Sequence, residues 1–160
     1  MHFGEKQTWE KFTLWERSTR VPLIIAGPGV PHAGKRVSSP ASLIDIYPTL
    51  CELAGLPIPP QCEGTSLISQ LRDLSAPRTV PAITTQTQGK QSGHAVRDER
   101  WRYIRYFDGT EELYDETKDP NEWTNLAGKP EMAKVKAELS AYLPKTDAEP
   151  GPKIPGAADD

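Results

Sequence analysis

Apolar residues fall in short runs along this chain, and most runs end at proline, glycine or a cluster of charge. Val21-Pro22-Leu23-Ile24-Ile25-Ala26 stops at Gly27-Pro28-Gly29, and a run of that length between such breakers predicts a buried strand. Residues 31–40 predict a polar loop. Ile46, Leu50 and Leu53 recur at i, i+4 and i+7, which predicts a helix with one apolar face. Asp45 is placed to accept from the free amides of its first turn, and Pro48 falls where a missing N–H costs no intrahelical bond. Gly55 suits the left-handed position after its end, and Pro57, Pro59 and Pro60 prevent continuation. Residues 66–74 predict one more short helix.

The pattern changes near Pro81. Ala82-Ile83-Thr84-Thr85 reads as a strand, followed by a Gln/Gly-rich turn through Gly93. Residues 94–97 and 101–107 predict two more strands, and Asp108-Gly109 signals a hairpin whose return strand is Glu112-Leu113-Tyr114-Asp115. Trp101, Tyr103 and Phe107 alternate onto one face, Ile104 and Tyr106 onto the other, so both faces need cover. Pro130 opens a last helix whose stripe of Met132, Val135, Leu139, Tyr142 and Leu143 is expected to pack on the antiparallel sheet. From Pro144 onward the composition predicts a disordered tail.

Composition narrows the function classes. The 160 residues are 36% hydrophobic and 26% charged, enough for one modest domain or two small ones. Lys plus Arg count 19 against 22 Asp plus Glu, so the net charge of −3 argues against a polyanion binder held by bulk charge. No apolar stretch approaches ~18 residues, so no membrane span is expected. The first residues carry no basic region followed by an apolar one, so no export signal is visible. The 16 prolines point to a loop-rich mixed fold rather than a bundle.

Residue chemistry alone assigns no activity. Gly27-Pro28-Gly29 lacks the later Gly and Lys of a phosphate cradle. His2, His32 and His94 show no metal-ligand spacing, and Cys51 and Cys62 make neither a disulfide framework nor a zinc site. The run from Arg100 to Tyr106 interleaves base and aromatic like a single-strand platform. Its acidic neighbours, Asp98, Glu99, Glu111 and Glu112, remove the electrostatic funnel that nucleic acid would need.

Read as text, the chain resembles the sulfatase family, specifically iduronate-2-sulfatase-like bacterial members. The family carries Asp-His-Gly-x-x-x-Gly-Glu-(His/Lys)-x-x-Trp-x-Lys before a Thr/Arg-Val-Pro-Leu-Ile strand. Gly4-Glu5-Lys6-Gln7-Thr8-Trp9-Glu10-Lys11 and Thr19-Arg20-Val21-Pro22-Leu23-Ile24 are similar to those segments. Ile44-Asp45-Ile46-Tyr47-Pro48-Thr49-Leu50, Leu53-Ala54-Gly55-Leu56-Pro57 and Gly64-Thr65-Ser66-Leu67 resemble the family's next helix and turn. Trp101-Arg102-Tyr103, Glu112-Leu113-Tyr114-Asp115, Lys118-Asp119-Pro120 and Glu122-Trp123-Thr124-Asn125-Leu126-Ala127 resemble its C-terminal subdomain. The likeness runs over residues 1–143.

The resemblance implies an α/β fold: the C-terminal part of an alkaline-phosphatase-like sulfatase, with a small antiparallel sheet-plus-helix subdomain. Residues 1–78 would be a remnant of the large α/β domain, 79–143 the subdomain and 144–160 a disordered tail. It implies catalytic Lys11, contacting the sulfate and helping the ester oxygen leave, with Lys6 and His94 as substrate contacts and Arg20 as a buried structural partner. Intact members use Ca2+ on carboxylates and a formylglycine made within Cys/Ser-x-Pro-x-Arg. Ser38-Ser39-Pro40-Ala41-Ser42 and Ser75-Ala76-Pro77-Arg78-Thr79 both lack the final Arg, and the Asp-His-Gly metal ligands would lie immediately before Met1. The expectation is therefore a C-terminal sulfatase fragment, acting on sulfated carbohydrate when intact and inactive alone, with nucleophile and metal ligands absent. The rival is a non-enzymatic module that binds a partner protein or a sulfated glycan. The family is often exported, but the compartment stays open.

Overall fold

The computed structural model describes residues 2–9, 12–88 and 91–147. Its first half is mostly irregular, with three short helices: α1 (Glu16–Thr19), α2 (Ile46–Leu53) and α3 (Ile68–Arg72). The run at residues 21–26 forms no strand; it is extended coil, with Ile24 85% exposed. This corrects the expected buried strand. Such a run gains a ladder only from a neighbouring strand that takes its N–H and C=O groups, and among the described residues no strand pairs with it.

Helix α2 is present, but its buried side is Pro48, Thr49 and Cys51. Of the expected stripe Leu50 is 51% exposed while Ile46 and Leu53 are half-buried, and Tyr47, Leu43 and Ile44 beside it are exposed, so the stripe is turned only partly inward. Asp45 explains the rotation. Instead of capping the first turn of α2, its buried carboxylate accepts from Ser42 N–H at 2.6 Å, Thr65 N–H at 2.9 Å and Arg78 Nη2 at 2.7 Å. Thr49 Oγ1 donates to Asp45 O and accepts from Leu67 N–H at 2.9 Å. These polar groups are satisfied only if that side of the helix points inward. Gly64 is required beside them, because a methyl group there would collide with the Ile44 carbonyl.

The second half holds four antiparallel strands in the order β1 (Ala82–Gln88), β2 (Gln91–Arg97), β3 (Trp101–Arg105), β4 (Glu111–Asp115). The β1–β2 pairing runs to Gln88↔Gln91, so Gly93 lies inside β2 rather than in a turn. At the β3–β4 connection Tyr106 N–H donates to Thr110 O at 2.9 Å, and Gly109 takes a left-handed φ of 82°. Alternation sorts the side chains into two cores. Val96, Tyr103 and Leu113 face α4 (Ala133–Ser140) and pack with Ala127, Leu139 and Leu143. Ala95, Ile104 and Tyr114 face the other way and pack with Leu14, Trp15 and Tyr106. Both faces are covered, as the strand pattern demands, with each buried large apolar side chain worth about 1.5–3 kcal/mol. No helix among the described residues is long and apolar enough to cross a membrane.

Candidate functional site: the N-terminal segment clamped to the sheet

Residues 2–9 and 12–20 lie on the face of the sheet opposite α4, and a set of polar contacts fixes them there. Lys6 Nζ donates to Tyr114 Oη at 2.8 Å and sits 4.4 Å from the Trp15 ring centroid and 4.2 Å from that of Tyr114. The Tyr114 hydroxyl donates a hydrogen bond to Glu112 Oε2 at 2.9 Å, and Trp15 Nε1 donates to the same oxygen at 2.6 Å. Desolvation lowers the Lys6 pKa, with the nearby carboxylates, Glu112 first, opposing it. The Tyr114 hydroxyl is pushed up, first by burial and then by the Glu112 charge, so it stays a proton donor. Lys6 and Gln7 both adopt left-handed backbone, at φ 51° and 58°. Such residues are held by surroundings that over-determine them, and the Lys6 contacts supply part of that constraint.

Farther along, buried Arg102 on β3 organises three carboxylates. It donates through Nη1 to Leu14 O at 2.9 Å, through Nη2 to Glu16 Oε2, and through Nε to Glu116 Oε1 at 3.3 Å. Arg97 Nε adds a second cation at 3.2 Å from Glu16 Oε2. Glu122, itself left-handed at φ 57°, accepts Glu16 N–H at 3.0 Å. Its Oε1 lies 3.0 Å from Arg102 Nε yet receives no hydrogen bond, because the single Nε hydrogen is directed to Glu116. Three carboxylates around two guanidiniums cannot all be stabilised as anions. Burial, reinforced by Glu116, raises the Glu122 carboxyl to about 7, while Arg102 and Arg97 outweigh burial at Glu16 and lower it.

The structure brings Lys6 to this clamp. Lys11 lies outside the described residues, as do Met1, Glu10 and residues 148–160 of the expected tail. His94 is elsewhere: β2 alternation and its pairing with Arg105 set it on the α4 face, so the sheet separates it from Lys6. Its Nδ1 lies 3.0 Å from Thr85 Oγ1 and its Nε2 3.1 Å from Asp147 Oδ1. Arg20, expected to be buried, is exposed and 3.8 Å from Glu16, beside a run that is itself largely exposed. Arg102 and Glu122 had no reading of their own in the sequence. The available signal was an arginine at an alternating strand position among aromatics with acids downstream. Arg100 likewise is bound by Asp115, at 2.7 Å, so two arginines of that run are engaged by internal carboxylates.

The residues do not fit the metal and nucleophile of the resemblance. Among the described residues no group of three or more His, Cys, Asp or Glu side chains is arranged to hold a metal ion. In the second near-match to the nucleophile motif the Ser75 Oγ donates to Asp73 and Arg78 to Asp45; in the first, Ser39, at the variable position after Ser38, donates to Glu99. No step is assigned to either group in this chain.

A loop-rich α/β unit ending in a four-stranded antiparallel sheet and helix, with its N-terminal segment pinned across the sheet, defines the C-terminal part of an alkaline-phosphatase-like sulfatase fold. The chain belongs to the N-sulphoglucosamine sulphohydrolase C-terminal family, whose model matches residues 4–149. It is 44% identical over 145 residues to a sulfatase of Formosa agariphila, covering 91% of this chain and 28% of that protein. It is 36% identical to a delta 4,5-hexuronate-2-O-sulfatase of Bacteroides thetaiotaomicron, covering 88% of this chain and 31% of that protein. A solved sulfatase structure from Bacteroides thetaiotaomicron matches with a TM-score of 0.66 at 34% identity, over 81% of this chain and 30% of that one. A protein solved with its substrate D-glucosamine-2-N,6-O-disulfate matches with a TM-score of 0.69 at 28% identity, over 86% and 30%. The chain thus spans under a third of the length of these relatives.

Proposed function

We propose that this chain is the C-terminal part of a sulfuric ester hydrolase acting on sulfated carbohydrate. The observation that carries the reading is the family match over residues 4–149, which begins at Gly4 and so includes the Gly-Glu-Lys-x-x-Trp-x-Lys segment. In this reading Lys11 contacts the sulfate and stabilises the departing ester oxygen, and Lys6, earlier in the same sequence segment, is a substrate contact that the Trp15–Tyr114 box holds in place. His94 faces saccharide from the other side of the sheet. Residues 1–78 are the edge of the large α/β unit, and residues 79–143 the subdomain that clamps it. The exposed apolar side chains of Ile24, Leu43, Ile44, Tyr47 and Leu50 support this division, since so much uncovered apolar surface in one part of a chain marks surface awaiting a partner. Calcium and formylglycine belong to the rest of the enzyme, so the 160-residue chain alone is inactive. Among substrates, a uronate 2-O-sulfate is favoured by the hexuronate-2-O-sulfatase relative.

The test is a transplant. The chain replaces the homologous 145-residue stretch of the Formosa agariphila sulfatase, and sulfate release is measured for the chimera, its Lys11→Ala variant and the chain alone. Activity in the chimera, a drop of about 10²–10³ in kcat for Lys11→Ala and none in the chain alone are expected. A folded chimera in which Lys11→Ala keeps full kcat would overturn the role of Lys11. A folded but inert chimera would favour the glycan-binding module.

A further inference from the structure

The geometry points to a second polar site on the α4 face of the sheet: a groove of about 320 Å³ that binds the oxyanion of a saccharide, which the chain's own Asp147 occupies when no ligand is present. This deepens the reading of His94 given above. The groove is floored by His94 and Arg105, which pair across β2 and β3, and rimmed by Phe107, Lys145 and Asp147. Three observations converge on an anion. The His94 ring is more than nine-tenths buried, with Nδ1 held against Thr85 Oγ1, so Nε2 has a fixed direction, and what it meets is a carboxylate. Arg105 and Lys145 form no ion pair among the described residues; Glu111, across from Arg105 on β4, bonds Lys136 instead and does not line the groove, whose lining carries these two cations against the single carboxylate of Asp147. Asp147 itself is 44% exposed and sits on residues 144–147, outside any helix or strand, only four positions after buried Leu143.

A carboxylate tethered this way competes as a local anion at millimolar effective concentration. It masks the site without filling the groove, and withdrawing it leaves His94, Arg105 and Lys145 facing one place. Arg105 offers the planar donor pair that a sulfate or carboxylate takes in bidentate fashion. Phe107, 50% exposed, presents an aromatic face beside the anion position, where the apolar face of a pyranose can lie. The shared ligand chemistry is an oxyanion carried by a pyranose, whether a sulfate ester or a uronate carboxylate.

The test follows the His94 ring nitrogens by NMR in the full 160-residue chain during titration with glucosamine 6-sulfate, glucuronate and inorganic sulfate. Because it reads binding rather than turnover, its failure is separate from failure of the transplant. At millimolar ligand the His94 signals are expected to shift. Asp147→Ala is expected to tighten binding about 3- to 10-fold by removing the competing anion, and Arg105→Gln to weaken it about tenfold or more. A response to glucosamine 6-sulfate alone assigns the sulfate ester, and one to glucuronate alone the carboxylate. Inorganic sulfate binding as tightly as both sugars would overturn the saccharide assignment. No shift with any ligand in either the parent chain or Asp147→Ala, or weaker binding in Asp147→Ala, would overturn the site. Asp147 lies after the last helix and outside both cores, so its loss leaves the fold intact for the comparison.

Discussion

Replacing Glu122 by Gln tests the charge arithmetic of the Arg102 cluster. The side chain is 3% exposed, accepts Glu16 N–H through Oε2 and has an Oε1 without a hydrogen bond. Its carboxyl ionises near 4.5 in the unfolded chain and near 7 in the fold, raised first by burial and then by Glu116. Between those values the folded chain holds a proton that the unfolded chain has released, so folding stability falls as pH rises through the window. At about 1.4 kcal/mol per pH unit the full effect is on the order of 3 kcal/mol, present below pH ~4.5 and lost above pH ~7. Gln keeps an acceptor for Glu16 N–H and carries no charge, so it mimics the protonated acid at every pH. Urea midpoints of parent and variant at pH 5 and pH 8 make the comparison. They should nearly coincide at pH 5, with Glu122→Gln the more stable by about 1–3 kcal/mol at pH 8. A variant less stable than the parent at pH 8 would mean that Glu122 is an ionised partner of Arg102, and the reasoning would fail.

Arg102→Met leaves Glu16 and Glu116 buried without their main cation, and should cost about 3–5 kcal/mol in a urea titration at pH 7, most of it recovered when Glu122 and Glu116 are also neutralised. Tyr114→Phe removes the oxygen that links Lys6 to Glu112, at a cost of about 1–3 kcal/mol, and amide exchange should rise first at residues 4–8. Exchange unchanged in that stretch would refute the clamp. The isolated chain is expected to self-associate through its exposed apolar side chains, and Ile24→Glu with Leu50→Glu should reduce that association in sedimentation velocity while moving stability by less than about 0.5 kcal/mol, since both positions face outward. A large stability loss would show that the face is internally packed.

Local signals carried the second half of this protein because local physics decides it. The alternation in Trp101-Arg102-Tyr103-Ile104, the Asp108-Gly109 turn and the stripe of Val135, Leu139 and Leu143 each name a partner within about forty residues, and the sheet and α4 bring those partners together. The motif order between Gly4 and Ala127 likewise identified the family from text alone. The first half follows a different rule. Apolar runs at residues 21–26 and along α2 state that a surface will be covered without saying by what, and among the described residues Ile24 and Leu50 stand exposed. Only the tertiary structure placed His94 and Lys6 on opposite faces of one sheet, and only it gathered Glu16, Arg102, Glu116 and Glu122 into one buried cluster. Those residues are separated by up to 106 positions, and the sign and strength of a charge contact depend on burial and distance, which no periodicity in the sequence records.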